Sequence, residues 1–240
     1  MARRDVLVLC YHGVAPDSLH GEVTPNALRA QLSLLAERGY RWATFTDAVS
    51  GDEPGPVASI TFDDGIASAV EHGLPVLEEV GAPGTMFLTL TMLGWGGRID
   101  GDGAAQLAEL GWEIGSHTMT HPVLTSVDDR TLQAELATSK HELERITGRS
   151  CTAVSYPTGR CDARVVGAAG AAGYAAGAAL EGATDVPPGP LAWPRVGVRG
   201  DDSLAVFRVK CSRTVRRVRS SWLRRPVSKA ASAAGRARRR

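Results

Sequence analysis

Two adjacent carboxylates, Asp63 and Asp64, end the run Thr61-Phe62-Asp63-Asp64-Gly65. Two imidazoles four residues apart lie in Ser116-His117-Thr118-Met119-Thr120-His121-Pro122. One Asp and two His make a facial ligand set for a divalent metal and leave positions open for water and substrate, as a catalytic centre requires. The other Asp is then free to act as a base, a combination that points to metal-assisted hydrolysis. Neighbouring side chains on an extended backbone face opposite sides. Both carboxylates can therefore serve one site only at a strand end or turn, which Gly65 permits. The spacing of His117 and His121 places two rings on one side of a helical turn, and Pro122 keeps that turn short. No Glu follows His117, so the metalloprotease pattern H-E-x-x-H fails and Asp63 is the available base. Taken singly, the Asp pair also reads as a helix cap and the His pair as two surface or core histidines. The donor set suits zinc, and equally Fe(II), Co(II) or Ni(II).

The apolar rhythm around these residues alternates between strand and helix. Strands are expected over Val6–Tyr11, Val57–Phe62, Thr85–Leu90, Trp112–Gly115, Thr152–Tyr156, Tyr174–Ala179 and Trp193–Val198. Thr24-Pro25 opens a helix that Gly39 stops. Further helices are expected over Ile66–Val80, disturbed by Pro75, and over Ala104–Leu110, Asp128–Thr147, Ala163–Ala172 and Ser203–Val218. Such alternation predicts a mostly parallel sheet, open or closed into a barrel. His12, Asp63-Asp64, His117 with His121, and Tyr156-Pro157-Thr158-Gly159 all fall at C-terminal strand ends, and Arg195 lies within the last strand. In a parallel barrel those ends share one mouth.

The 240 residues, 43% hydrophobic and 22% charged, are globular in composition. No apolar run reaches the ~18 residues of a membrane helix. Val6–Cys10 is too short for the core of an export signal, which gives a cytoplasmic expectation. None of the four cysteines forms a C-x-x-C pair, so bland thiols are expected. The net charge of +1 hides an asymmetry: residues 213–240 carry eleven Arg or Lys and no acid, leaving −10 for residues 1–212. The expected organisation is a catalytic barrel over 1–212 and a flexible basic tail over 213–240. Such a tail suits a solvated segment or an anionic membrane surface at the inner face; with little aromatic interleaving, no specific nucleic-acid role is expected.

The chain resembles the polysaccharide deacetylase family (NodB-homology domain, carbohydrate esterase family 4). Thr61-Phe62-Asp63-Asp64-Gly65 matches its first motif and Gly115-Ser116-His117-Thr118-Met119-Thr120-His121-Pro122 its second. Ser155-Tyr156-Pro157-Thr158-Gly159 looks like a variant of the third, and Leu9-Cys10-Tyr11-His12-Gly13-Val14 and Trp193-Pro194-Arg195-Val196 resemble the opening and last strand of its Tyr-Pro branch. The resemblance implies a distorted (β/α) barrel and hydrolysis of an N-acetyl, sometimes O-acetyl, group on a sugar. It implies that Asp64, His117 and His121 hold the metal, usually zinc, that Asp63 is the base, and that the Thr158 amide stabilises the oxyanion. The chain departs from the pattern in two places. Ser155 stands where the third motif carries an Arg, for which Arg195 is the expected substitute. The late Leu-x-His motif is missing, and no His follows His141, so His12 is the candidate acid. Tyr11, Tyr156, Pro157 and Trp95 are the candidate substrate contacts. The expected partner is an N-acetylated sugar or glycan. Hydrolysis of a cyclic amide or imide on the same barrel, and glycan binding without catalysis, are the alternatives.

Overall fold

The computed structural model describes residues 5–17, 21–52 and 54–219. The described residues form eight strands: β1 (Asp5–Tyr11), β2 (Arg41–Trp42), β3 (Pro56–Phe62), β4 (Gly84–Leu88), β5 (Glu113–Ser116), β6 (Ala153–Ser155), β7 (Ala176–Leu180) and β8 (Trp193–Gly197). All named pairings are parallel. Seven strands close a ring in the order β1-β3-β4-β5-β6-β7-β8, with β8 returning to β1. The short β2 shares an edge of β3 with β4: β2 takes Val57 and Ala58, and β4 takes Ile60 to Phe62. The closing seam is thin, with β1 and β8 in register only at Leu9↔Val196 and Cys10↔Gly197.

Strand parity divides the core in two. Val6 and Val8 of β1 turn inward with Val57, Phe87, Ala153, Ala176 and Ala178. Leu7, Leu9 and Tyr11 turn outward beneath the helices, as a period of two demands. The small residues on β6 and β7 make room for Phe87 and for the Arg195 side chain, which lies over the Phe87 ring at 5.5 Å. Gly115 belongs to the same accommodation: a Cβ there would meet the Phe87 ring at 2.5 Å. Helix α2 (Phe45–Ser50) buries Phe45, Ala48 and Val49 in this inner cluster and plugs the end opposite the mouth.

The outer helices are α1 (Pro25–Glu37), α3 (Leu74–Glu79), α4 (Gly101–Glu109), α5 (Asp129–Thr147), α6 (Ala163–Ala171), α7 (Leu204–Lys210) and α8 (Arg213–Arg219). Their starts follow from local chemistry. Thr24, Asp100, Asp128, Asp162 and Ser203 each accept a backbone N–H of the first turn. Gly148 ends α5 at φ 64°.

Several elements differ from the sequence reading. The helix expected over 66–80 is a π turn, Ala69–Gly73, followed by α3. Pro75 offers no N–H to the helical ladder, so the hydrogen bonding changes register before it. The helix expected over 203–218 is broken at Cys211–Ser212. Cys211 is buried, and the Ser212 hydroxyl accepts from the Val215 N–H at 3.2 Å to start α8. Helix α2 and strand β2, too short to show periodicity, were not anticipated.

The first seven residues of the basic segment thus form α8. Arg216 donates to the Asp5 carboxylate and to the Val6 carbonyl at the start of β1. Residues 220–240 of that segment lie outside the described residues. Among the described residues no helix is long and apolar enough to cross a membrane, and the four cysteines are free and buried.

Candidate metal and catalytic site

Asp63 and Asp64 follow β3 directly. The chain turns at once, because Asp64 and Gly65 both adopt positive φ, 68° and 65°. A side chain at residue 65 would stand 2.6 Å from Leu88 Cδ2, so glycine is required there. The turn sends Asp63 inward and Asp64 onto the rim. Asp63 is buried and Asp64 half-buried.

The His segment follows β5, but not as a helical turn. Thr118 and His121 take φ 71° and 61°, and this backbone fold, rather than helical spacing, sets the His117 and His121 rings edge to face at 4.8 Å. The Thr118 side chain accepts from the His121 N–H at 3.0 Å, and Ser116 Oγ accepts from the Thr118 N–H at 3.0 Å. Buried Glu135 of α5 accepts from the Met119 and Thr120 N–H groups, both at 2.9 Å, and from the Thr120 hydroxyl at 2.6 Å. The non-glycine residues at positive φ among the described residues are Asp64, Thr118, His121 and Thr158. All four lie on the mouth loops. Such strain gathers where surrounding structure enforces a functional geometry.

The donor atoms converge. Asp64 Oδ1 lies 3.6 Å from His117 Nε2 and 3.5 Å from His121 Nε2, and the three ligand atoms lie within 4.8 Å of one another. Ligands held at about 2.0–2.2 Å around one tetrahedral zinc stand roughly 3.3–3.6 Å apart, so the two Asp64–His spacings fit a shared ion. His117 Nδ1 lies 2.8 Å from the Ser155 carbonyl. With Nδ1–H donated there, Nε2 presents its lone pair to the cluster. Burial lowers the His117 pKa despite the opposing pull of Asp63 and Asp64, which favours the neutral ring a metal ligand needs. Arg98 Nε donates to the Asp64 carbonyl at 3.1 Å and steadies the turn.

Asp63 stands outside this ligand set. Arg195 grips it with two bonds, Nη1 to Oδ1 at 2.8 Å and Nη2 to Oδ2 at 2.7 Å. Ser155 Oγ accepts from Arg195 Nη2 at 2.8 Å and donates to Asp63 Oδ2 at 3.3 Å. The Cys10 thiol lies 3.5 Å from the same oxygen, and Thr61 Oγ1 accepts from Arg195 Nη1 at 3.0 Å. Burial raises the Asp63 pKa, but the Arg195 charge and hydrogen bonds, aided by His117, outweigh it and hold the carboxyl well below the usual range. Arg195 is likewise buried yet held firmly protonated by Asp63.

The remaining candidates divide. His12 follows β1 at the mouth and is exposed. Thr158 is exposed at φ 62° beyond β6. Trp95 is 73% exposed. Tyr11 and Tyr156 must be withdrawn as substrate contacts. Both are fully buried, the Tyr11 hydroxyl donating to Gln31 at 2.8 Å and that of Tyr156 to the Leu191 carbonyl at 2.7 Å. Their strand parity points them outward to the helices, while Cys10 and Ser155 point inward. Pro157 is also buried and offers no stacking face. Cys10 and Glu135 were overlooked. The inward parity shared by Cys10, Thr61, Asp63 and Ser155 was a signal for the first. For Glu135 the signal was a carboxylate on the buried stripe Leu132, Leu136, Ser139, Leu143.

The family model for polysaccharide deacetylases matches residues 50–177, more than half of the chain. The Bacillus subtilis (strain 168) protein YxkH, provisionally named a polysaccharide deacetylase, is 29% identical over 207 residues, covering 83% of this chain and 74% of its own. The Streptococcus pyogenes deacetylase PplD, solved with acetate, superposes with a TM-score of 0.76 at 22% identity over 86% of this chain and 98% of its own. IcaB from Ammonifex degensii gives 0.71 at 21% identity over 90% and 98%. These two share the fold. The family match spans both carboxylates, both imidazoles and Thr158, the residues that the β3, β5 and β6 loops gather at the mouth, and with them the chain belongs to the polysaccharide deacetylase family.

Proposed function

We propose that the protein is a metal-dependent hydrolase that removes an N-acetyl group from a sugar unit of a glycan or glycan precursor, with residues 1–212 as its catalytic unit. Members of the family are hydrolases acting on carbon–nitrogen bonds. One observation carries the proposal: Asp64, His117 and His121 turn their donor atoms to a common point while Asp63 is clamped beside them by Arg195.

Asp64, His117 and His121 would hold the metal. Zinc is the proposed ion, and when bound it would polarise the acetyl carbonyl and acidify water. Asp63 takes the proton of the attacking water. Its depressed pKa keeps it ionised across the neutral range. Oδ2 already receives Arg195, Ser155 and Cys10, whereas Oδ1 receives only Arg195 Nη1. Oδ1 therefore retains the free lone pair and is the proton-accepting atom. The Thr158 amide donates to the developing oxyanion, its backbone aimed by the left-handed turn after Pro157. His12 protonates the departing amine, as a general acid at the solvent-facing side of the mouth.

Acetate release tests this directly. Metal-stripped protein, protein restored with zinc or cobalt, and Asp63→Asn are compared on N-acetylated chitooligosaccharides and on an O-acetylated glycan. Metal-restored release from the N-acetylated substrate, abolished by Asp63→Asn, is the expected result. Faster release from the O-acetylated glycan overturns the N-acetyl assignment. Stoichiometric metal with no release supports glycan binding without turnover, which the absence of any His after His141 favours.

We also propose that the basic segment 213–240 contacts an anionic membrane surface at the cytoplasmic face; its eleven cations without an acid support this. Sedimentation with anionic but not neutral vesicles, lost at high salt, is expected.

A further inference from the structure

We propose that Trp95 is a stacking platform for the sugar unit next to the one being deacetylated. This rests on the deacetylase reading above. Among the described residues Trp95 is the sole aromatic in the set of exposed large apolar side chains, 73% exposed, and the others are Leu and Val. Leaving the largest apolar side chain in water forgoes a substantial burial gain. Its backbone is nonetheless fixed. Gly94 N–H donates to the Ile99 carbonyl at 2.9 Å and Trp95 N–H to that of Met92 at 3.1 Å, closing the neck of the loop. Gly94, Gly96 and Gly97 take positive φ on both sides of the indole.

The loop is stitched to both ligand-bearing segments. Ile99 N–H donates to the Gly65 carbonyl at 2.9 Å, Ala67 N–H to that of Gly97 at 2.9 Å, and Arg98 Nε to that of Asp64 at 3.1 Å. On the other side Leu90 and Thr91 N–H donate to the carbonyls of Thr118 and Met119, at 3.2 and 3.0 Å. The backbone that carries the exposed indole is thus hydrogen-bonded to both segments that bear Asp64, His117 and His121. A rigid aromatic face in water meets the apolar C–H face of a pyranose at low entropic cost. The reacting unit must bring its acetyl carbonyl to Asp64, His117 and His121. Trp95 lies three residues before Arg98, whose side chain bonds the Asp64 carbonyl, so the unit next to the reacting one is the part of the glycan it would meet.

The test is the ratio of kcat/KM on an N-acetylated tetrasaccharide to that on the N-acetylated monosaccharide, measured with zinc-loaded protein. Trp95→Ala is expected to lower this ratio about tenfold, with the loss on the tetrasaccharide expressed in KM, and Trp95→Phe to recover most of it. Leu110→Ala, an exposed apolar control at the end of α4, should leave the ratio unchanged. An unchanged ratio in Trp95→Ala overturns the proposal. If zinc-loaded wild type turns over neither sugar, the deacetylase reading fails, and tetrasaccharide binding is measured by calorimetry instead. Binding about tenfold weaker in Trp95→Ala then supports the platform; equal binding, or none by either protein, overturns it.

Discussion

Arg195, from the last barrel strand, and Asp63, from the end of β3, form a two-pronged ion pair inside the barrel mouth, at 2.8 and 2.7 Å. Ser155 fills the place from which the family's third motif would extend its Arg, and its hydroxyl bridges the two partners. Arg195→Ala leaves a buried carboxylate unpaired. It is expected to cost about 3–5 kcal/mol in urea unfolding and to abolish acetate release. Arg195→Lys should recover little, because a point charge cannot reproduce the planar fork.

Metal removal should act on stability as well as turnover. A ligand present at 100 times its Kd stabilises by about 2.7 kcal/mol. Stripping the ion should therefore lower the Tm, and zinc or cobalt should restore it. His117→Ala should lose this metal-dependent increment, read by thermal unfolding with and without added zinc.

Glu135 holds the loop between His117 and His121 through three hydrogen bonds to Met119 and Thr120. Glu135→Ala strands two backbone N–H groups. Metal affinity, measured by competition with a chromophoric chelator, should fall by roughly 10–100-fold, the usual cost of losing a supporting partner. Glu135→Gln keeps acceptor capacity and should recover part of it.

Thr158 holds a β-branched residue at φ 62° with its side chain exposed. Glycine relieves that backbone without removing the amide. Thr158→Gly should raise stability by about 1 kcal/mol, measured by urea unfolding, and retain acetate release.

Glu113 lies at the opposite end of the barrel, accepting from Thr46 N–H and Thr85 Oγ1 at 3.0 and 3.1 Å. Burial raises its pKa above the ordinary 4.5, against the opposing hydrogen bonds. The folded state therefore binds this proton more tightly than the unfolded one. Its contribution is fully present below the ordinary value and declines as pH rises through the folded pKa. Glu113→Gln should become more stable relative to the parent as pH rises through that window, read from urea midpoints.

Motif and periodicity alone determined much of this protein. Asp63-Asp64-Gly65 and His117-x-x-x-His121 carry their chemistry in residue type. The strand ends that bear them were legible from apolar runs, because β3 and β5 are largely buried, and most outer helices are capped by a residue with a clear signature, such as Asp128 or Thr24. Parity within those strands was also present in the sequence: it separates Cys10 and Ser155 from Tyr11 and Tyr156. What the sequence could not decide was the geometry of their convergence. The two histidines meet through positive φ at Thr118 and His121, values set by the hydrogen bonds of Ser116 and Glu135 rather than by local propensity. Arg195 reaches Asp63 across 132 positions of chain, and only closure of the barrel brings β8 against β1. The docking of Arg216 on Asp5 has the same origin: contacts distant in sequence outweigh preferences of a fraction of a kcal/mol per residue.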